Sequence, residues 1–433
     1  MCYAIPGKVK AFEGKFALVD YFGEEKKAIN ELTGLSVGDY VYAQGGFVIT
    51  RVSQKEAETT LETWKDLFFE LKDIDDASVK QMPWAGAKYT KVRDMYDKVA
   101  AGGRILREEL EYLLSAKDAG EREFIKNAAH HLRHQYHGNS CCVHGIIEIG
   151  NECDQVCHYC GISALNTSLT RYRMSKDEIL ESVRIAVEVY GFKALVLQSG
   201  EDRGRPIDEL IDLVAEIKKR FGVLIFISFG EVGTDGLKRL YAAGARGLLL
   251  RFETSNSDLY SKMHPGSKFE DRLQDLKTAN ELGYLIITGS LIGLPGQTHA
   301  DISSDIELAG ELNVEMLSMG PFLPHPYTPL AKHPAPTVDE IIHTLSSARF
   351  FLLPHVKILV TTGLETLDMT ARRLAFLSGA NSMMLNVTPL EKRPLYEIYP
   401  GRAHQHESLD AQIESAKILL QELGRAPTDL SFR

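Results

Sequence analysis

Three cysteines lie close together in the stretch Cys153-Asp-Gln-Val-Cys157-His-Tyr-Cys160, whose C-x3-C-x2-C spacing confines three sulfurs to one short loop. Thiolates are the soft, charged ligands that iron–sulfur clusters require. Three thiolates hold three irons of a four-iron cluster and leave the fourth iron without a protein ligand. That open iron can bind a small chelating molecule such as the amino and carboxylate groups of S-adenosylmethionine. The stretch therefore predicts a 4Fe-4S cluster with Cys153, Cys157 and Cys160 as its ligands.

Two other interpretations of the triplet are weaker. A structural zinc site usually needs a second C-x2-C pair or paired histidines, and no such set follows in the sequence. Three clustered cysteines cannot all pair as disulfides, and six cysteines in 433 residues do not form a disulfide framework. Both points favour a cluster in a reducing compartment.

Composition is typical of a large cytoplasmic enzyme. A chain of 433 residues with 44% hydrophobic content can bury a sizeable core in two or three domains. The net charge of −10 gives no global support to a nucleic-acid partner. The N-terminus lacks the apolar segment of a signal peptide, and no run approaches the ~18–20 apolar residues that span a bilayer. We therefore expect neither a nucleic-acid nor a membrane partner.

The first part of the chain carries short strand-like runs separated by glycines, which predict a small all-β, OB-like barrel. Helical spacing follows from Gln54 to Leu71, and the polar segment Asp73-Ile-Asp-Asp-Ala-Ser78 predicts a linker. From residue 145 onward, strand and helix patterns alternate eight times. This pattern predicts a (β/α)8, TIM-type barrel, whose active site lies at the C-terminal ends of its strands. The cysteine loop follows the first of these strands.

These patterns divide the chain into five predicted segments. They are a small β-barrel domain with its following helix at 1–76, a linker at 77–87, a helical extension at 88–140, the barrel at 141–390 and a C-terminal helical cap at 391–433.

Residues 88–425 resemble the HydE-type maturase of di-iron hydrogenase, a member of the radical S-adenosylmethionine superfamily with methylornithine synthase and biotin synthase as relatives. The resemblance is carried by linked blocks: the cysteine triplet, Arg171-Tyr-Arg-Met174, Gln198-Ser-Gly-Glu-Asp202, Leu250-Arg-Phe-Glu-Thr254, Gly289-Ser-Leu-Ile-Gly-Leu-Pro-Gly-Gln-Thr298 and Leu395-Tyr-Glu-Ile-Tyr-Pro-Gly401. It implies an enzyme in which the reduced cluster donates one electron to S-adenosylmethionine, giving methionine and a 5′-deoxyadenosyl radical. An electron donor such as ferredoxin or flavodoxin is then expected.

The resemblance also implies roles for individual residues in holding S-adenosylmethionine. Gly200 and Glu201 would hold its methionine portion, and Arg251, Glu253 and Arg272 would hold its carboxylate and ribose. The competing interpretations are a structural ion pair for Arg251 and Glu253 and a solvent-exposed side chain for Arg272.

A substrate pocket would lie deeper in the barrel, near the hydroxyls and amides of Thr361, Thr362, Asn386, Tyr396 and Tyr399, or these groups would only satisfy strand ends. The sequence departs from the resembling family at two positions. His144 and Gly247 stand where that family has arginines, and Arg246 is expected to point to the opposite face. The substrate is therefore expected to be held differently.

Residues 1–72 resemble a second family, the HypC-type chaperone of nickel–iron hydrogenase assembly. The matching blocks are Met1-Cys-Tyr-Ala-Ile-Pro-Gly-Lys-Val9, Gly38-Asp-Tyr-Val41 and Gly46-Phe-Val-Ile49. The resemblance implies an iron-carrier site at Cys2, although Gln44 stands where that family has a histidine. Imidazole is the better iron ligand of the two.

Several other residues invite a functional interpretation. His130, His134 and His137 share one face of a predicted helix, and we expect that face to be solvated rather than to bind metal. Cys141 and Cys142 are expected to pack at the base of the barrel.

Three functions remain open. The first is a radical enzyme that acts on an iron-bound precursor in hydrogenase maturation, with other maturation proteins as partners. The second is a radical enzyme acting on a free amino acid, as in methylornithine synthesis. The third, a non-catalytic scaffold, does not explain the intact cysteine triplet.

Overall fold

The computed structural model describes residues 5–81 and 87–428 and contains two closed barrels. The smaller barrel is antiparallel except for one β3–β5 contact and has the strand order β1-β2-β3-β5-β4. Its strands are β1 Gly7–Glu13, β2 Phe16–Tyr21, β3 Glu24–Ile29, β4 Tyr40–Gln44 and β5 Phe47–Val52. The predicted small all-β barrel is confirmed. Cys2 lies outside the described residues.

A long helix, α1, follows the small barrel from Gln54 to Gln81. The linker predicted at Asp73–Ser78 is therefore wrong for that stretch. The polar sequence remains helical because Asp75 points inward, where its carboxylate accepts two hydrogen bonds from Arg133 at 2.7 and 3.0 Å and lies 3.2 Å from Arg425 Nε. Residues 82–86 of the predicted linker lie outside the described part of the chain.

The larger barrel has eight parallel strands, as the sequence predicts. They are β6 Cys142–Gly150, β7 Ala194–Ser199, β8 Leu224–Ser228, β9 Gly247–Leu249, β10 Leu285–Thr288, β12 Met316–Leu317, β14 Lys357–Val360 and β15 Ser382–Asn386. A two-stranded sheet, β11 Leu291–Ile292 with β13 Gly320–Pro321, lies beyond β10 and β12 in the chain. Pairing of β15 with β6 closes the barrel.

Helices pack on the outside of the large barrel and bury an apolar core against its strands. Their bounds are α2 Thr90–Ala100, α3 Arg107–Ser115, α4 Ala119–His137, α5 Lys176–Arg184, α6 Ile207–Arg220, α7 Gly233–Ala243, α8 Ser257–Met263, α9 Phe269–Leu282, α10 His299–Glu311, α11 Val338–Phe351, α12 Thr362–Leu367, α13 Ala371–Phe376 and α14 Leu409–Glu422. Within the described ranges, no helix combines the length and apolarity that a bilayer crossing requires.

The small barrel docks on the N-terminal end of the large one. Phe47 and Ile49 of β5 belong to the same apolar cluster as Leu224 and Ile287 of the large barrel. Arg246 reaches Glu31 of the small barrel with its Nε 2.9 and 3.0 Å from the two carboxylate oxygens. Arg246 thus points to the docking surface, away from the lumen, as expected. The cysteine loop lies at the other end of the large barrel.

The histidine face of α4 is buried, so the expectation of a solvated face is wrong. His130 Nδ1 lies 3.2 Å from the carbonyl oxygen of Phe376, and His137 Nε2 lies 3.2 Å from that of Val356. His134 Nε2 pairs with Asp76 at 2.7 Å. The face is covered because α4 packs against both α11 and α1. Burial also lowers the pKa of His130 and His137, so both rings are neutral.

Candidate active site

A cavity of about 300 Å³ opens at the C-terminal end of the large barrel. It is lined by nearly all of the residues that the sequence assigns to a site, although these come from distant parts of the chain. The lining includes Cys153, Cys157, Cys160, Gly200, Glu201, Arg251, Glu253, Arg272, Thr361, Thr362, Tyr396 and Tyr399.

The cysteine loop leaves the end of β6 and is fixed by one arginine. Arg171 donates to four backbone carbonyls, those of Asn151 at 2.6 Å, Ile162 at 2.7 Å, Ser163 at 2.8 Å and Asn166 at 3.3 Å. These carbonyls lie on both sides of the triplet. A planar guanidinium with five donors can tie several acceptors together, which a lysine cannot do. Arg171 therefore sets the shape of the loop.

Gly200 lies directly against this loop. A β-carbon on Gly200 would lie 2.7 Å from Cβ of Cys153, closer than two carbons can approach. The backbone N–H of Asp154 also donates to the carbonyl of Glu201 at 2.9 Å. The strand end that carries Gly200 and Glu201 is thus attached to the cysteine loop, and only glycine fits the contact.

The three cysteines of the loop are free thiols and are partly buried. Within residues 5–81 and 87–428, no three His, Cys, Asp or Glu side chains converge on one point as ligands of a single ion would. Burial raises the pKa of Cys153 and raises that of Cys160 to about 12, so without a cation these groups are neutral thiols. Bound iron supplies the positive charge that keeps such sulfurs as thiolates.

Arg272 lies at the centre of a charged network in the cavity wall. Its Nη2 lies 2.6 Å from Oε1 of Glu201, its Nε lies 2.8 Å from Oε1 of Glu231, and its Nη1 donates to the carbonyl of Arg251 at 3.0 Å. Gln155, from the cysteine loop, donates to the other oxygen of Glu201 at 2.6 Å. Arg272 is only 8% exposed, so the solvent-exposed interpretation is wrong.

Arg251 and Glu253 form an ion pair at 3.0 Å and also line the cavity. Arg251 Nη2 donates to the carbonyl of Ser290 at 2.7 Å, whereas its Nε is buried and has no hydrogen-bond partner among the described residues. Glu253 has φ +65°, a left-handed conformation that non-glycine residues rarely adopt. Strained backbone conformations cluster at functional sites, and a buried N–H without a partner needs an explanation such as a bound ligand.

The predicted substrate residues divide into two groups. Thr361, Thr362, Tyr396 and Tyr399 line the cavity, and Thr361 also accepts a hydrogen bond within the first turn of α12. Asn386 does not line it. Its amide donates to Glu148 Oε2 at 3.1 Å, so its role is to hold Glu148 because the end of β15 lies beside β6. Direct substrate contact by Asn386 stays a prediction.

Sequence reasoning missed a buried pair beside this group, Glu148 and Arg402. Arg402 lines the cavity, forms a short ion pair with Glu148 and donates to the carbonyl of Tyr396 at 3.1 Å. Glu148 could have been found, because it alternates with Ile146 on β6 and so faces the lumen. Arg402 follows a loop glycine and has no such signal.

Tyr159 and His264 were also missed, although Tyr159 lies inside the triplet. Burial lowers the pKa of His264 to about 3, so its ring is neutral. Its Nδ1 lies 3.1 Å from the carbonyl of Tyr260 and therefore carries the proton. Its Nε2 then accepts from the hydroxyl of Tyr159 at 2.9 Å. This bond connects the cysteine loop to α8.

Comparison with protein families assigns the small barrel to one family and divides the large barrel between two others. Residues 147–309 match the radical SAM superfamily, residues 1–64 match the HupF/HypC family, and residues 318–413 match the biotin and thiamin synthesis associated domain. The first match runs from the second half of β6 through most of α10 and includes the cysteine loop.

Individual relatives agree with the family matches. The chain is 40% identical over 321 residues to the [FeFe] hydrogenase maturase subunit HydE of Thermotoga maritima. The aligned region spans 74% of this chain and 91% of the relative. It is 27% identical to the 3-methylornithine synthase of Methanosarcina acetivorans, over 76% and 93% of the two chains. A solved structure of methylornithine synthase matches the fold with TM-score 0.68 and 24% identity, over 77% and 97% of the two chains.

Proposed function

Since this chain belongs to the HydE family within the radical S-adenosylmethionine superfamily, we propose that it acts on an iron-bound precursor during maturation of a hydrogenase metal centre. The observation that supports this proposal best is the docking of a HupF/HypC-like barrel onto a catalytic barrel of the HydE type. A free amino-acid substrate gives no reason for an attached iron chaperone.

The cavity fits the two cofactors of this enzyme class. Cys153, Cys157 and Cys160 would hold the 4Fe-4S cluster at the cavity rim, and the unpaired Nε of Arg251 is available to a ligand there. When bound, the cluster supplies one electron that splits S-adenosylmethionine into methionine and a 5′-deoxyadenosyl radical. Gly200 permits the backbone to approach the ligand, while Glu201 would accept hydrogen bonds from its amino group.

The remaining residues fix these groups in place. Arg272 holds Glu201 and Glu231 together, so the acidic wall keeps its shape before a ligand arrives. Arg171 and the Tyr159–His264 bond hold the cysteine loop from two directions. The substrate would lie against Thr361, Thr362, Tyr396 and Tyr399, whose hydroxyls suit cyanide or carboxylate groups.

A reducing protein such as ferredoxin or flavodoxin would deliver the electron, and other maturation proteins would deliver or receive the iron unit. Both the oxygen sensitivity of such a cluster and the reduced cysteines suit the cytoplasm. Cys2 would carry the iron unit, a role that the family match at 1–64 supports. Infrared spectra of protein co-expressed with maturation factors should show cyanide or carbonyl stretches that disappear in the Cys2→Ser variant.

Maturation of a di-iron hydrogenase in a cell-free mixture lacking HydE tests the proposal. The unaltered chain should restore hydrogen evolution, whereas the Cys157→Ala variant should not. A failure to restore activity, together with radical cleavage of S-adenosylmethionine stimulated by a free amino acid, would support the methylornithine synthase-like alternative instead.

A further inference from the structure

Three potential metal ligands meet where the two barrels join, far from the cysteine loop. Cys142 and His144 lie on the first half of β6, and His144 Nε2 is 3.1 Å from Cys142 Sγ. Gln44, at the end of β4 in the small barrel, places its amide nitrogen 3.7 Å from the same sulfur. An imidazole and an amide, from two domains, thus both contact one thiol.

All three side chains are almost completely buried, with 2%, 3% and 1% of their surfaces exposed for Cys142, His144 and Gln44. Their surroundings are apolar and include Phe47, Ile287 and Met316. Gln44 Oε1 and His144 Nδ1 have no hydrogen-bond partner among the described residues. Polar groups left incompletely paired in such surroundings reduce stability, so a purely structural role does not account for this cluster.

The chemistry of the cluster suits a borderline-soft metal ion. Thiolate and imidazole ligands favour iron, cobalt and zinc over magnesium or calcium. The amide of Gln44 can present its oxygen instead of its nitrogen, because the two ends are nearly equivalent in shape. His144 also supplies an imidazole beside Gln44, the position where the resembling chaperone family has its histidine.

The cluster lies in the lumen of the large barrel, below the catalytic cavity. Cys142, His144 and Ile146 alternate on β6, so all three face the lumen. Ile146 belongs to the cavity lining, and successive lumen-facing residues are about 7 Å apart along a strand. The cluster is therefore separated from the cavity floor by one layer of side chains.

We propose that Cys142, His144 and Gln44 form a metal site for ferrous iron at the junction between the barrels. The site holds iron on the path from the small barrel to the catalytic cavity. The binding itself is independent of radical chemistry, whereas the role in transfer rests on the proposed function.

Cobalt(II) is a suitable probe, because a thiolate ligand gives it a charge-transfer absorption in the near ultraviolet. The experiment uses the full chain with Cys153, Cys157 and Cys160 all replaced by alanine, titrated anaerobically with cobalt(II) alone. Such protein cannot carry the cluster, so the result does not depend on whether the proposed enzymatic function is correct. One equivalent of cobalt should bind and give the thiolate band.

Three further changes identify the ligands in this background. Cys142→Ser should lose the band, and His144→Gln should weaken binding and shift the ligand-field absorption. Gln44→His should tighten binding, because imidazole replaces an amide. Cys141→Ser is the matched control, since Cys141 packs outward against the helices and should leave the band unchanged.

Two results would overturn the proposal. One is a thiolate band that persists in Cys142→Ser and disappears in Cys2→Ser, which would assign the metal to the N-terminal cysteine alone. The other is no thiolate band in the parent or in Gln44→His, with circular dichroism showing that both proteins are folded.

Discussion

The ring of Phe226 occupies the space beside Gly247 in which a β-carbon would have to lie. The same ring packs against His144, with ring centroids 5.0 Å apart. His144 and Gly247 are the two positions at which the resembling maturase family has arginines, and neither lines the cavity. The two departures therefore meet at one contact below the cavity floor, where the Phe226 ring packs against both positions.

The first prediction concerns this packing. Gly247→Ala should lower the free energy of unfolding by about 1–3 kcal/mol, because the new methyl group overlaps the Phe226 ring. Phe226→Leu in the same chain should relieve part of that loss, measured as a coupling in a double-mutant cycle by chemical denaturation. Gly310→Ala is the control, since its β-carbon meets only an ordinary contact with Phe351 at 3.8 Å. Strict additivity of the two changes would contradict the overlap.

The second prediction concerns the cysteine loop. Arg171→Lys should reduce the iron retained after anaerobic reconstitution and desalting, because one ammonium cannot hold four carbonyls at once. Arg173→Lys is the matched control, since Arg173 pairs with Asp202 at a partly exposed position. Equal iron content in both variants would show that Arg171 does not shape the loop.

The third prediction concerns the buried charge network. Arg272→Gln should lower the free energy of unfolding by about 3 kcal/mol, because Glu201 and Glu231 would face each other without their shared cation. Arg239→Gln, which removes an exposed pair with Asp208, should change stability by less than about 1 kcal/mol. Similar losses in the two variants would contradict the special role of Arg272.

The fourth prediction is a pH dependence from Asp305 on α10. Burial raises the pKa of Asp305 to about 7, although its carboxylate accepts two hydrogen bonds of 2.6 Å from Ser255. A raised folded-state pKa gives stability that is present at low pH and is lost as the pH rises through the folded value. Relative to Asp305→Asn, the free energy of unfolding of the unaltered chain should therefore fall by about 1.4 kcal/mol per pH unit between pH 5 and 6, and less steeply as the pH approaches 7.

Denaturation midpoints across that range check the effect. Asp301→Asn, on the first turn of the same helix, is the control. Hydrogen bonds from Asn256 and Thr298 outweigh partial burial and lower the pKa of Asp301, so the difference in stability between the unaltered chain and Asp301→Asn should not change with pH above pH 5. A flat difference between the unaltered chain and Asp305→Asn would show that Asp305 is ionised throughout.

Much of the site was predictable from the sequence because local strand and helix patterns determine where its residues lie. Eight apolar runs followed by helices predict the barrel, and a barrel brings strand ends together, so Cys153, Glu201, Arg251 and Thr361 converge without further information. The burial of Arg272 was not predictable in this way. It depends on which carboxylates face α9 after folding.

Contacts between distant segments of the chain explain the sequence-based predictions that were wrong. The sequence pattern predicts that Asp75 belongs to a polar linker, because nothing in the pattern indicates its ion pairs with Arg133 and Arg425. His130 and His137 lie on what the helical period shows as a polar face, yet a second helix covers that face. The contact between Gln44 and Cys142 forms only because the two barrels dock, and no sequence pattern in either segment predicts that docking.

The central claim is that this chain cleaves S-adenosylmethionine by radical chemistry at the cysteine triplet. Its most direct test is the amount of 5′-deoxyadenosine formed by anaerobically reconstituted protein with S-adenosylmethionine and dithionite. The unaltered chain and the Cys141→Ser control should form 5′-deoxyadenosine, and Cys157→Ala should not. Formation by the unaltered chain at no more than the Cys157→Ala level would contradict the claim.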